Sequence, residues 1–206
     1  MEDKKKFDFI FPSGDNIYFT SDTHFHHENI LKFCNRPFSD IQEMDNKLVE
    51  NWNSVVSEDS LVFHLGDFAW GGYNAWKHVR DRLNGEIILI KGNHEEKNMT
   101  QTAERELFSL VAYQVKIRVE DRAVYLNHYP FLTYAGVYRI EKDMVWQLYG
   151  HTHSGPLSSN GKDMSRLEMA FPTQYDVGVD NNSFRPISWN SVKEIINAQV
   201  AKANSE

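Results

Sequence analysis

The chain carries nine histidines in 206 residues, and two of them, His151 and His153, stand one residue apart at the end of the apolar run Met144 to Tyr149. Imidazole ligates divalent metals through either nitrogen and exchanges protons near neutral pH. Similar chemistry recurs at the ends of four other apolar runs. Asp22-Thr23-His24 follows residues 16–21, Asp67 follows 61–66, Asn93-His94-Glu95 follows 86–92, and His128 follows Val124-Tyr125-Leu126-Asn127. Each piece alone has a plain explanation. An Asp after a strand serves as a turn residue or helix cap, Gly-Asn-His makes a tight turn, and a His before Tyr-Pro sits on the surface. Together, in this order and each on a strand-like end, they read as one ligand set. In an extended chain residues i and i+2 point to the same side. Asp22 with His24, and His151 with His153, are therefore expected to present ligands in pairs, with Gly150 letting the backbone turn between strand and ligands.

Those pairs must be positioned by the apolar runs. Residues 16–21, 61–67 and 86–94 read as buried strands, and parallel packing would bring their carboxyl ends to one edge, where ligands collect in open sheets. Between them, Ile41, Met44, Leu48, Trp52 and Val55 share a helical face, with capping-box spacing at Ser39 and Gln42. Trp76, Val79 and Leu83 define a second helix before Gly85. Residues 100–111 are expected to be helical, with Ala103, Leu107 and Leu110 inward. Residues 113–130 read as a hairpin turning at Glu120–Arg122. Residues 143–151, the alternating 166–171 and 175–180 read as further strands. Val192, Ile195, Ile196 and Val200 mark a C-terminal amphipathic helix. Strands and helices alternate first and strands dominate later, which implies packed sheets with helices outside. No repeat, linker or low-complexity tract interrupts the run, so one domain over 1–206 is expected.

Composition narrows the classes. Lys and Arg number 22 against 29 Asp and Glu, a net charge of −7. That argues against coating nucleic acid or anionic membrane by bulk charge. The single cysteine, Cys34, permits no internal disulfide and fits a reducing compartment. No apolar stretch reads as a signal peptide or a membrane span. A cytoplasmic protein is expected.

In the ordered blocks D-x-H, GD, GNHE, H and GHxH, the sequence resembles the calcineurin-like metallophosphoesterases, and the blocks run from Asp22 to His153. The opening "SDTHFHHENILKFCNRPF" and the close "YDVGVD…RPIS" are similar to a small bacterial and phage subgroup. The resemblance implies an α/β fold, a four-layer αββα sandwich of two mixed sheets flanked by helices. It implies two divalent transition-metal ions, of Mn, Fe, Zn, Co or Ni, the types suited to mixed oxygen and imidazole ligands. Asp67 would bridge them. Asp22, His24 and His153 would hold the first, and Asn93, His128 and His151 the second. A metal-bridging hydroxide would attack phosphorus, and His94 would act as general acid without binding metal. The protein-phosphatase branch reads GDxxDRG, but here Trp70 and Gly71 replace the Asp and Arg. That departure, and the lack of long insertions, argue against a protein phosphatase and for a small phosphoester, a nucleotide among the options. With no Arg after Asp67 to hold a dianion, phosphodiesters are favoured over monoesters. A metal-dependent nuclease and a non-catalytic scaffold are the alternatives.

Other residues carry weaker signals. Arg36 could grip a phosphate oxygen bidentately, with His27 and Arg139 as further substrate-binding candidates. His64 lies within a strand, as a core histidine or as support for a ligand. Phe25, Trp70, Tyr129, Phe131 and Tyr134 adjoin the blocks and could stack on a base or simply pack.

Overall fold

The expected strand runs appear as short strands whose faces are both covered. The structure is a computed structural model and describes residues 6–98, 100–137, 144–154 and 171–205. Strands β2 (Ile17–Thr20), β3 (Leu61–His64), β4 (Glu86–Ile90) and β5 (Leu110–Ala112) are successive parallel neighbours. Strand β10 (Ile187–Ser188) adds antiparallel to β2. The second sheet runs β1 (Phe9–Phe11), β6 (Gln114–Val119), β7 (Arg122–Asn127), β8 (Val145–Tyr149) and β9 (Gln174–Asp176). Only the β6–β7 pair in it is antiparallel, with Val115 opposite Leu126 and Ile117 opposite Val124.

Alternation divides the core in two. On β3, Phe63 points between the sheets while Val62 points outward, and on β4, Ile88 and Ile90 point inward while Ile87 and Leu89 point outward. Burial on both faces is why these strands read as continuous apolar runs. Between the sheets, Phe19, Phe63 and Leu65 meet Ile117, Val124, Trp146 and Leu148. Outside the first sheet lie α1 (Asn29–Phe33), α2 (Ile41–Asn53), α3 (Tyr73–Arg80), α4 (Glu95–Asn98) and α5 (Gln101–Leu107). Met44, Leu48, Trp52, Trp76 and Val79 seal that face. The last helix, α6 (Trp189–Ala203), inserts Trp189, Val192 and Ile196 into the inter-sheet core. The result is two mixed sheets with flanking helices, an α/β sandwich. Among the described residues no helix is long and apolar enough to cross a membrane.

Two expectations change, and a third lies outside the described residues. The helix expected over 100–111 stops at Leu107, and Leu110 is 37% exposed on β5 rather than inward. Its backbone pairs with Ile88, so sheet pairing overrides a helical spacing that a short apolar run cannot establish. The cap of α2 is Asp40, whose side chain accepts from Glu43 N, while Glu43 accepts from Ser39 N and Oγ. The cap thus sits one residue later than Ser39, and Glu43 reaches back to Ser39 rather than to the N–H of Asp40. The segments 155–170 and 138–143 lie outside the described residues, which takes with them Arg139 and most of the strand expected over 166–171.

Candidate metal centre

The two sheets deliver their carboxyl ends to one place. β2, β3 and β4 lead into residues 21–24, 65–68 and 91–95, and β7 and β8 lead into 128 and 150–154. The loops are not extended, which corrects the expectation for the i, i+2 pairs. Asp22 (φ 57°), His24 (φ 50°), Asp67 (φ 56°), His151 (φ 68°) and His153 (φ 46°) all adopt left-handed backbone. For a non-glycine residue this costs about 1–2 kcal/mol and persists only where the surroundings impose it. Here main-chain bonds impose it. Asp22 N donates to Gly66 O at 2.9 Å, and His24 N donates to Asp67 O at 3.0 Å. His151 N donates to both carboxylate oxygens of Asp22, at 3.1 and 2.9 Å. Gly150 serves close approach rather than a turn, since a Cβ there would collide with Ser21 Oγ and the Asp22 carboxylate.

The side chains form two adjoining groups. Ligand atoms of Asp22, His24 and His153 lie within 4.8 Å of one another, and so do those of Asp67, His128 and His151. Asp67 Oδ2 stands between the groups, 3.5 Å from His24 Nε2 and 3.6 Å from His128 Nε2. Asn93 Oδ1 is 3.2 Å from His128 Nε2. His153 Nε2 is 3.8 Å from Asp22 Oδ1. His94 lies at the cleft side, a quarter exposed, with Nε2 3.8 Å from Asp67 Oδ2. Its main-chain N donates to Asp67 Oδ1.

The outer ring nitrogens are tied down. His128 Nδ1 donates to Leu65 O at 2.7 Å, and His153 Nδ1 donates to Asp180 Oδ2 at 2.8 Å, which turns each Nε2 toward the carboxylates. Such outer bonds fix ring orientation and tautomer in metal-ligating histidines. His24 Nε2 is buried with no hydrogen-bond partner. A buried orphan nitrogen facing a carboxylate, within a set of nitrogen and oxygen donors, fits a divalent cation. Burial raises the Asp22 carboxyl, partly offset by His153, and raises that of Asp67, offset by His128 and reinforced by Asp22. Burial opposes a charge on His153, but Asp22 and Asp180 outweigh it and hold the ring well above its usual value. His24 and His128 are lowered, chiefly by burial, which leaves neutral rings suited to ligation.

Several supports escaped the sequence. Asp180 accepts a bidentate pair from Arg36, Nε and Nη2 at 2.9 Å each, while it also holds His153. Arg36 further donates to the carbonyls of Asp22 and Thr23. This corrects the assignment of Arg36 to substrate, because its guanidinium is buried and fully engaged. Glu95 is buried and accepts from Asp67 N, Phe68 N and Gly92 N, and burial pushes its carboxyl up to about 7. Asp176 accepts from Thr152 Oγ1 at 2.8 Å and from Ser154 N and Oγ, anchoring the loop that carries both histidines. The only available signal was position: Glu95 completes GNHE, and Asp176 and Asp180 flank Val-Gly-Val.

The remaining candidates separate cleanly. His27 lines the cleft, with Nδ1 3.3 Å from His24 Nδ1 and its ring stacked on Trp70 at 4.9 Å. His64 is a core histidine that also supports the site. Its Nε2–H donates to Thr23 Oγ1 at 2.9 Å, Thr23 donates to Phe68 O, and Gly66 N donates to His64 Nδ1. Phe25 is buried in the core, and Phe131 and Tyr134 pack with Tyr125. Trp70 and Tyr129 remain exposed beside the cluster, Tyr129 with its ring 4.7 Å from that of His151. The cleft over the cluster has a volume of about 380 Å³.

Comparison with known proteins places the chain. The profile of the calcineurin-like phosphoesterase superfamily domain matches residues 16–165. An uncharacterized protein of Methanocaldococcus jannaschii is 32% identical over 189 residues, covering 87% of this chain and 90% of its own. The gene 66 protein of Mycobacterium phage L5 is 30% identical over 163 residues, covering 68% of this chain and 78% of its own. The crystal structure of a protein of unknown function from Aquifex aeolicus shares the fold, with a TM-score of 0.64 at 23% identity, covering 87% of this chain and 98% of that one. The family's chemistry is metal-dependent phosphoester hydrolysis, and its fold and His/Asp groups able to bind metal are present here. The chain belongs to the calcineurin-like phosphoesterase superfamily.

Proposed function

We propose that the chain hydrolyses small phosphoesters, with phosphodiesters favoured over monoesters, using two divalent cations of the Mn, Fe, Zn, Co or Ni type. Asp22, His24 and His153 would hold one, Asn93, His128 and His151 the other, and Asp67 would be shared. The observation that carries this reading is Asp67 Oδ2, within 3.6 Å of a histidine nitrogen from each group. Cations bound there would supply Lewis acidity toward a phosphoryl oxygen and lower the pKa of water.

The chain's own residues do the rest. His94 is held by its main chain to Asp67 and presents its ring at the cleft, where Nε2 can donate a proton to the leaving oxygen. Asp22 and Asp67 are withdrawn from water, so their interactions with a cation are little screened. Among the described residues no Lys or Arg lines the cleft. A monoester dianion would lack a partner beyond the cations, whereas a diester monoanion needs none. The net charge of −7 makes a nuclease that grips a long polyanion the less favoured reading.

The test combines metal analysis with assays of p-nitrophenyl phosphate and bis(p-nitrophenyl) phosphate in Mn²⁺. His94→Ala is expected to keep its cations and lose turnover by about 10²–10⁴-fold. Full activity in that variant would contradict the role of His94. Inactivity of the wild type with every metal and both esters would favour a non-catalytic scaffold.

A further inference from the structure

The cleft is unequal on its two sides. Its floor is the ligand cluster, but one wall is apolar and comes from α1. Ile30 and Cys34 stand buried in that wall, and Phe33 projects from it with 62% of its surface exposed. Phe33 meets the His27 ring edge to face at 6.4 Å, and His27 in turn stacks on Trp70, itself 42% exposed. An exposed phenylalanine costs hydration free energy unless something covers it. Here it stands in a cavity beside the reacting centre, with further rings next to it. Among the described residues no Lys or Arg lines this cavity, so beside Phe33 they offer an apolar surface rather than a cation for a second charge.

We propose that Phe33 is a specificity-determining residue, whose ring takes a flat aromatic group on the non-reacting arm of a phosphodiester that carries no charge beyond the reacting phosphate. This rests on the phosphodiesterase reading above and names its substrate class. A flat ring lying on Phe33 would bury apolar surface on both partners, and stacking of this kind tolerates many ring types. The His27–Trp70 stack would form the neighbouring face of the subsite, and the phosphate would remain over the cluster.

The test holds the leaving group constant. p-Nitrophenyl phenyl phosphate and p-nitrophenyl methyl phosphate differ only in the non-reacting arm. Phe33→Ala is expected to lower the phenyl-to-methyl ratio of kcat/KM by about tenfold, and Phe33→Tyr to preserve it. A short oligonucleotide ending in a p-nitrophenyl phosphodiester is expected to release p-nitrophenol far more slowly than the phenyl ester. Calorimetric titration with diphenyl phosphate against dimethyl phosphate gives the same comparison without turnover, and Phe33→Ala should narrow the affinity gap by about tenfold. An unchanged ratio in Phe33→Ala, or oligonucleotide cleavage as fast as that of the phenyl ester, would overturn the proposal. Failure of the wild type to cleave either ester contradicts the phosphodiesterase reading instead, and the calorimetric comparison still decides the role of Phe33.

Discussion

Asp22, His24 and His153 lean on an ion pair, whereas Asp67, His128 and His151 lean on main-chain groups. On the first side Arg36 grips Asp180, Asp180 grips His153, and Arg36 also holds the carbonyls of Asp22 and Thr23. On the second side Glu95 gathers three main-chain N–H groups around Asp67, and Leu65 O orients His128. The Arg36–Asp180 pair reaches across 144 residues of sequence, whereas the Glu95–Asp67 bond spans 28 and the His128–Leu65 bond 63. The first side therefore closes a longer stretch of chain than the second. A buried ion pair is costly when one partner is lost. A buried carboxylate among amides is less costly to neutralise but strict about geometry.

The largest expected break in that comparison is Arg36→Met. It leaves Asp180 buried without its cation, and should destabilise the fold by about 3–5 kcal/mol in denaturant unfolding. Arg36→Lys should recover only part, because one ammonium cannot replace the bidentate fork. Equal stability of Arg36→Met and wild type would show that the first side is not held by this pair.

Glu95→Gln probes the other side. The amide keeps one acceptor oxygen but turns an NH₂ toward N–H donors, so a loss of about 1–3 kcal/mol is expected. In a His153→Ala background, where the cation expected to remain is the one held by Asn93, His128 and His151, it should speed cation release under graded chelation more than in a His151→Ala background. Uniform loss from both would erase the distinction between the two sides.

His64, bonded to Thr23 and Gly66, links the two sides, and its effect is confined to acid pH. Burial lowers its pKa to about 3, against 6.5 for an unfolded histidine. The unfolded chain binds the proton first, so this contribution is complete above pH 6.5 and is lost as pH falls toward 3. In His64→Leu the slope of stability against pH in that window should flatten by up to about 1.4 kcal/mol per pH unit. An identical slope would mean that other groups carry the acid sensitivity.

These supports explain what the sequence could and could not disclose. The convergence of Asp22, His24, Asp67, Asn93, His128, His151 and His153 was legible because apolar strands announce their own ends, and these residues sit where strands stop. The alternation of Val62 with Phe63, and of Ile87 with Ile88, was legible as continuous apolar runs. Asp180 and Asp176 were not, because an Asp beside Val-Gly-Val reads as a turn until Arg36, Thr152 and Ser154 come near it in space. Arg36 was misassigned for the same reason, since a bidentate partner can be phosphate or carboxylate and sequence does not say which. β5 was missed because Leu-Val-Ala suits a helix as well as a strand until β4 lies beside it. The left-handed turns at five ligand positions were invisible, because hydrogen bonds between loops impose them rather than glycine.

The most direct test of the central claim is cation stoichiometry in three proteins, measured after loading with Mn²⁺ and removal of excess. Wild type should retain two per chain, and His151→Ala and His153→Ala should each retain one. The two variants should differ in which group loses its cation. Cation retained by His153→Ala should be released by a further Asn93→Ala change, and cation retained by His151→Ala should not. One cation in the wild type, or the same response to Asn93→Ala in both variants, would contradict a site divided into two ligand groups.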